Sequence, residues 1–372
     1  MKSLLTKFKY LIFLFKNKGF LYTYNAVHFY IFWSWIREHP LLIKLLYWLA
    51  PYPSYIEIEV TTRCNLRCII CERTYWNEPN KDMSFKEVKY IVDQFPKLKW
   101  IGLTGIGESF VNKDFMKMLR YIKSKNVIVE LYDNFYFIDE NTAREIIELQ
   151  IDNIFVSFDA ATKETYEKIR VGSNFERVVN NVRRFIQLKR EENAFFPQLS
   201  FHYIVNKMNI HEIPLYIELI HSINNGKPVT IQFSRMLHEF EETKGLFAEV
   251  SPELIELAEK KAKELGVRVV WNLDVPISKP PVKHCIEWTM PFIFVTGHVI
   301  PCCSGNEAGQ RKFQKKTSLG NVFETSFKKI WYGEKYKSLR RQLSRGKVPA
   351  PCKDCCLYNV GVKPVESSGQ EI

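Results

Sequence analysis

Three things are scarce in this 372-residue chain, and each scarcity removes a class of protein. No cysteine occurs between residues 72 and 284, so the nine thiols fall into two groups, three within 64–71 and six after 284. A secreted disulfide scaffold is short, carries an even cysteine count and follows a cleavable leader. None of these holds here, and grouped thiols are what convergent metal ligation requires. No uninterrupted apolar run reaches the roughly 18–20 residues that a membrane-spanning helix needs, because Lys16, Lys18, Arg37 and Lys44 break every candidate. No small-residue cleavage site follows the first apolar stretch, which argues against a signal peptide. Acidic residues are almost missing from the first 55 positions, where seven Lys and Arg face Glu38 alone, a net +6 of the chain's +12.

That basic segment is rich in bulky apolar and aromatic residues over 10–15, 26–36 and 41–50. It reads as a pair of helices suited to a membrane interface, apolar face inserted and lysines on anionic head groups. The alternative is that the apolar face packs on the folded domain. Beyond this segment the positive charge is not gathered into a stripe, so no nucleic acid is expected as a partner.

With 46% hydrophobic residues the chain can bury a sizeable core plus one smaller module. After Pro53, short β-branched runs alternate with longer amphipathic stretches, the pattern of βα units around a parallel sheet. The first strand is expected over 55–61, and a helix begins near Ser84 with Glu87 completing a capping box. Strands over 100–104, 127–132, 154–158, 199–205 and 229–233 precede helices over 112–125, 141–149, 175–190, 211–224 and 252–265. Gly266 stops the last helix, and 267–271 adds a final strand. Six βα units predict an α/β fold, a partial (β/α)6 TIM-like barrel with its chemistry on the loops at the C-terminal strand ends. The expected divisions are a helical extension over 1–54, a core over 55–275, a small cysteine-containing module over 276–358 entered through Pro-rich 276–281, and a loose tail over 359–372. There is no internal repeat beyond the βα alternation and no low-complexity tract.

Cys64-Asn-Leu-Arg-Cys68-Ile-Ile-Cys71 presents three thiols directly after the first strand. A cubane cluster has four irons, so three cysteines leave one iron open, as a catalytic zinc keeps one position open. A ferredoxin cluster or a structural zinc site, the competing readings, would need a fourth ligand nearby.

On these residues the chain resembles the radical S-adenosylmethionine (SAM) superfamily, over about residues 55–358. The triplet resembles the loop that holds the catalytic [4Fe-4S] cluster, whose open iron takes the amino and carboxylate groups of SAM. Gly105-Ile-Gly107-Glu108 resembles the Gly-Gly-Glu-type motif that meets the methionine ammonium, glycine allowing close backbone approach and a carboxylate pairing with a cation. Read without the family, it is a tight turn ending in an exposed Glu. Val156-Ser157-Phe158-Asp159 and the stretch ending at Arg170 resemble the segment that contacts the ribose, although Ser157 and Asp159 could simply cap the next helix. Asn134 matches a family Asn, with Asp133 and Phe135 standing where Thr and Gly are usual, and Ile70 replaces an aromatic residue common before the third cysteine.

Near the C-terminus, Gly297 to Cys302-Cys303, then Leu319-Gly-Asn321, then 326–331, then Cys352-x2-Cys355 resemble the SPASM/twitch auxiliary-cluster modules of that superfamily. The resemblance implies one auxiliary [4Fe-4S] cluster on Cys285, Cys303, Cys352 and Cys355, with Cys302 able to replace Cys303 and Cys356 unassigned. Four-thiolate zinc is the alternative, and His284 and His298 are expected to be ordinary polar residues. The implied activity is reductive cleavage of SAM to a 5'-deoxyadenosyl radical that abstracts a substrate hydrogen, with a ferredoxin or flavodoxin as electron donor. The N-terminal segment suggests a lipid or lipid-linked substrate and a cytoplasmic enzyme peripheral on the inner face of the membrane. Peptide crosslinking and small-alcohol oxidation are the alternatives. A non-catalytic electron carrier or a nucleic-acid-binding metal protein would leave the Gly-Gly-Glu-like and ribose-like segments unexplained.

Overall fold

The β-branched runs after Pro53 do become strands, and their order along the sheet follows their order along the chain. A computed structural model describes all residues except 1, 37–38, 237–240, 274–284, 305–310, 354 and 356–372, and only the backbone of 2–7, 30 and 32–34. The Pro-rich 276–281, His284, Cys356 and the 359–372 tail therefore lie outside the described residues.

Seven parallel strands, β1 (Tyr55–Ile58), β2 (Trp100–Leu103), β3 (Ile128–Asp133), β4 (Asn153–Ser157), β5 (Gln198–Val205), β6 (Thr230–Arg235) and β7 (Arg268–Asn272), pair consecutively. Along β4 to β6 burial alternates with period two. Val156, Phe201, Tyr203, Ile231 and Phe233 turn toward the helices, while Ser157, His202 and Ser234 turn to the concave side. The result is the expected α/β partial barrel.

The helices form where apolar residues recur at helical spacing. The helix Phe85–Asp93 starts at the Ser84/Glu87 capping box and buries Val88, Ile91 and Val92. The helix expected over 112–125 begins later, at Phe115, because residues 109–111 form a 3-10 turn and Asn112 donates instead to the carbonyls of Val60 and Met83. The first strand pairs only to Ile58, with Thr61 bridging to Asp82. A short helix the periodicity did not suggest, Lys163–Ile169, is capped by Thr162.

The C-terminal module is less separate than the sequence suggests. Its strand β8 (Phe292–Ile293) pairs in parallel with β1, and β9 (His298–Ile300) and β10 (Gly320–Asn321) follow antiparallel. One sheet therefore runs through both parts.

The N-terminal segment forms α1 (Lys2–Ser34), broken at Gly19, and α2 (Pro40–Leu49). One face of α1 crosses the N-terminal ends of the strands. Phe13 meets Phe195 before β5, Lys18 donates to the Gln150 carbonyl, Tyr22 donates to Asp152 before β4, and Asn25 donates to the Asn126 carbonyl before β3. Phe29 stacks on Trp100 and edges onto Tyr55, at the starts of β2 and β1. Helix α2 buries Ile43, Leu46 and Tyr47, and Tyr47 stacks on Trp288 and donates to the Cys285 carbonyl. One face of each helix thus packs on the fold. Among the described residues no helix is long and apolar enough to cross a membrane.

Asp152 anchors this floor. It is 1% exposed and accepts from Tyr22 at 2.5 Å, Lys123 at 2.6 Å and the Val129 amide at 2.8 Å. Removing it strands a buried ammonium and two donors. Asp152→Ala should lower the unfolding free energy by about 3 kcal/mol and Tyr22→Phe by about 1 kcal/mol, read from anaerobic urea denaturation followed by circular dichroism.

Candidate active site

The cysteine loop leaves β1 and is fixed mainly through its backbone. Arg67 and Ile69 donate their amides to the carbonyls of Val171 and Ile169, at the end of the 163–169 helix. Arg73 donates to the Thr62 carbonyl, Thr74 to that of Cys68 and Tyr75 to that of Ile69. Cys64, Cys68 and Cys71 are all free thiols, and burial pushes each one up from its ordinary value.

The three thiols line one cavity, at the C-terminal ends of the strands, together with Gly105, Gly107, Glu108, Asn134, Ser157, Asp159 and Arg170. All ten residues singled out from sequence for the cluster and its nucleoside ligand therefore converge. Successive strands of a parallel sheet deliver their ends to one rim, so motifs far apart in sequence meet there. Ile70, already singled out before the third cysteine, shares the cavity, as do Glu72, Tyr132, His202 and Arg235, which the sequence did not single out.

The glycines stand where nothing larger fits. A Cβ on Gly107 would sit 2.3 Å from the Thr61 carbonyl oxygen, and one on Gly105, whose φ is +148°, 2.6 Å from Glu59 Cγ. This closeness lets the Glu108 amide donate to the Arg63 carbonyl at 2.8 Å. Glu108 is buried, not exposed. Its Oε2 accepts from the Asn134 amide at 3.0 Å, and its Oε1 is buried without a hydrogen-bond donor among the described residues. Burial, reinforced by neighbouring Asp133, raises the Glu108 carboxyl well above the usual carboxylate range. A buried carboxylate short of a donor fits the ammonium of SAM, and three free thiols on the same cavity fit a cubane with one open iron. Among the described residues no three His, Cys, Asp or Glu side chains gather closely enough to share a single ion. Thiols that each take a different iron have no need to.

Asn134 donates from Nδ2 to Asn65 Oδ1 at 3.0 Å, which ties the end of β3 to the cysteine loop. The next residue, Phe135, has φ +59°, the left-handed region where glycine is usual. Its fully buried ring packs edge-on against Phe185, which offsets the local strain. Asp159 is fully buried and already engaged. Its Oδ1 accepts from the Ile204 amide at 2.7 Å and its Oδ2 lies 2.6 Å from Arg170 Nη2. It thus braces β5 and Arg170 from the cavity wall, whereas Ser157 faces the cavity without such engagement in the described hydrogen bonds. Arg170 in turn is the strongest favourable charge acting on the Cys68 thiol.

A second carboxylate links this cavity to the C-terminal module. Glu59, 1% exposed, accepts from the Ile106 amide and from the Val295 amide, each at 3.3 Å. It also pairs with Arg311, 3% exposed, at 2.6 Å, while the guanidinium lies over the Phe294 ring. Burial still leaves the Glu59 carboxyl above its ordinary value. Nothing in the sequence connects positions 252 residues apart.

In the C-terminal module the two adjacent candidate thiols differ in their surroundings. The buried Cys302 thiol feels Cys355, Cys285 and Cys352, whereas Cys303 packs against Phe292, Phe294 and Ile300. Cys302 sits in a bend and Cys303 opens a short helical turn, so the two neighbouring thiols have different surroundings. Fully buried Tyr336 stands beside this group. His298 is engaged with the Thr296 hydroxyl.

Residues 58–220 match the profile of the radical SAM superfamily, and 285–356 match that of the SPASM iron-sulfur cluster-binding domain. The chain belongs to the radical SAM superfamily, and it is an enzyme of that class. Within it, the protein is a member with a C-terminal SPASM domain, so a [4Fe-4S] cluster, SAM and auxiliary iron-sulfur clusters are its cofactors. It is 25% identical over 318 residues to the tungsten-containing aldehyde ferredoxin oxidoreductase cofactor-modifying protein of Pyrococcus furiosus, covering 82% of this chain and 87% of that one. It is also 25% identical over 262 residues to a probable GTP 3',8-cyclase of Methanocaldococcus jannaschii, covering 66% and 84%. Among solved structures, Streptococcus suis SuiB bound to S-adenosylmethionine aligns with a TM-score of 0.62 at 13% identity, over 83% of this chain and 72% of that one, a likeness of fold.

Breaking the buried ion pair from one side leaves an uncompensated charge. Arg311→Met should cost about 3–5 kcal/mol of stability, and adding Glu59→Gln should restore part of it. Urea unfolding of the single and double variants checks this, and a double variant no more stable than Arg311→Met contradicts it.

Proposed function

We propose that this enzyme holds its catalytic cluster on Cys64, Cys68 and Cys71, binds SAM against it, and abstracts a hydrogen atom from a polar substrate in the same cavity. The observation that carries this reading is the convergence of the three thiols with the buried Glu108 carboxyl, whose Oε1 has no donor among the described residues. When bound, the cluster and SAM supply reductive carbon–sulfur cleavage and, from it, hydrogen-atom abstraction. Glu108 accepts the methionine ammonium, and Gly105 and Gly107 bring the loop backbone close enough for it to do so. The Ser157 hydroxyl is placed for the ribose, Ile70 offers an apolar surface to the base, and Arg170, braced by Asp159, keeps positive charge beside Cys68. Cys285, Cys302, Cys352 and Cys355 hold one auxiliary cluster, and a small reductant such as a ferredoxin or flavodoxin delivers the electrons. The division into 1–54, 55–275, 276–358 and 359–372 goes with this reading, the sheet being shared between the second and third parts.

For the substrate, a peptide has more support than a lipid. The concave wall beside the thiols carries Tyr132, His202 and Arg235, and His202 meets the Ser234 hydroxyl at 2.9 Å. Burial pushes the His202 imidazole down to about 4, so at neutral pH it is an uncharged donor and acceptor. Such a wall suits amide and side-chain hydrogen bonds. SuiB has also been solved bound to its precursor peptide SuiA, and the mycofactocin maturase of Mycolicibacterium smegmatis is a 22% identical relative over 169 residues. The lipid expectation rested on the N-terminal helices, and α1 lies at the opposite end of the barrel from the cavity.

Two outcomes are expected. Anaerobic reconstitution should give about eight irons per chain, falling to about four with loss of 5'-deoxyadenosine formation in the Cys64→Ala, Cys68→Ala, Cys71→Ala variant. Cys302→Ala should lower the count and Cys303→Ala should not, and zinc in place of iron at the first loop removes the reading. Glu108→Gln should weaken SAM binding by about tenfold to a hundredfold with iron content unchanged, read by equilibrium dialysis of the reconstituted protein.

A further inference from the structure

Each N-terminal helix has two apolar faces, only one of which the fold covers. On α1 the residues that meet the barrel floor, Leu14, Lys18, Tyr22, Asn25 and Phe29, follow one another at helical spacing. At about 100° per residue, Phe8, Ile12 and Phe15 before the Gly19 break and Phe20, Tyr24 and Ile31 after it fall on the other side, and all six are solvent-exposed. On α2 the buried set is Ile43, Leu46 and Tyr47. The exposed set is Leu41, Leu45 and Trp48, again one helical stripe, with Leu41 at 78% and Trp48 at 80% exposure. Thirteen of the twenty exposed large hydrophobic side chains among the described residues lie between 8 and 49, so this is a concentrated surface and not the scatter ordinary surfaces show.

The charges around that surface decide what covers it. Lys9, Lys16 and Lys44 are exposed within it, and the sequence has no acidic residue before Glu38. A second copy of the chain would set lysine against lysine. A nucleic acid would meet the lysines and leave Leu41 and Trp48 in water. An anionic bilayer satisfies both, taking aromatic and aliphatic side chains below its head groups and lysines among its phosphates.

We propose that α1 and α2 form a docking surface for an anionic phospholipid bilayer, on which the enzyme lies peripherally. Their buried faces stay on the fold while the exposed stripes insert. Because α1 crosses the N-terminal ends of the strands, docking turns the cavity, at the C-terminal ends, toward the aqueous phase. The proposal stands apart from the catalytic reading, since none of these residues lines the cavity.

Full-length protein is sedimented anaerobically with phosphatidylcholine vesicles with or without phosphatidylglycerol, at low and high salt, while tryptophan emission is followed. Expected are binding to the anionic vesicles, a blue shift on binding, and weakening at high salt. Replacing Lys9, Lys16 and Lys44 by Gln should weaken binding on the order of a hundredfold, about fivefold per lysine. The variant Phe20→Ser, Leu41→Ser, Trp48→Ser should lose binding with iron content and circular dichroism unchanged. If that variant misfolds, the lysine variant and the wild-type emission shift still decide. No binding to anionic vesicles, equal binding by the lysine variant, or a dimer that the serine substitutions dissociate in the absence of any vesicle binding overturns the proposal.

Discussion

The architecture turns on one buried carboxylate. Glu59 leaves the end of β1 and is shared by the Ile106 amide in the glycine loop, the Val295 amide in the C-terminal module and the Arg311 guanidinium. In water each of these groups would be hydrated, and sequestering a charge pair this completely costs several kcal/mol per ion unless geometry and further hydrogen bonds compensate. Two backbone donors and the Phe294 ring beneath the guanidinium supply that compensation. Such a pair contributes registry more than stability. It fixes the loop carrying Glu108 and the module carrying Cys302 relative to the same strand end, and so relative to each other.

The same loop explains why an acidic residue can wait in a buried place. Gly105 and Gly107 press the chain onto the cysteine loop so closely that Glu108 is carried under the surface with its neighbour Asp133. Both carboxyls are raised above their ordinary range, Glu108 the more by burial and the adjacent acid, so the arrangement disfavours negative charge until a cation arrives. An ammonium bound there, as in the proposed reading, would relieve the desolvation penalty and let Glu108 ionise, so its binding would be coupled to release of a proton.

How much of this could be seen in the sequence follows from distance along the chain. Cys64, Cys68 and Cys71 declare themselves because three ligands lie within eight residues, and Gly105, Glu108, Asn134, Ser157 and Arg170 because the segments that carry them resemble the family's motifs. No pattern reveals that the Ile204 amide and Arg170 meet the Asp159 oxygens. The different surroundings of Cys302 and Cys303 depend on tertiary packing, and the Glu59–Arg311 pair on a contact across most of the chain. The pairing of β8 with the free edge of β1 was hidden for a related reason: a two-residue strand has no periodicity to read.

The N-terminal helices resisted prediction in a more instructive way. A helix apolar on all sides belongs either in a core or in a membrane, and periodicity cannot choose between them. Here the two are partitioned by face: Tyr22, Asn25 and Phe29 close the floor of the barrel, and Phe20, Tyr24 and Ile31 remain outside. The floor contacts hold Asp152, Tyr55 and Trp100 at the beginnings of β4, β1 and β2, the strands whose far ends carry the cavity. A partner that bound the outer face of the folded helix and not the unfolded chain would by linkage stabilise the floor as well. Occupancy of the outer surface, as proposed above, would therefore be coupled through a single helix to the strands whose far ends carry the cavity.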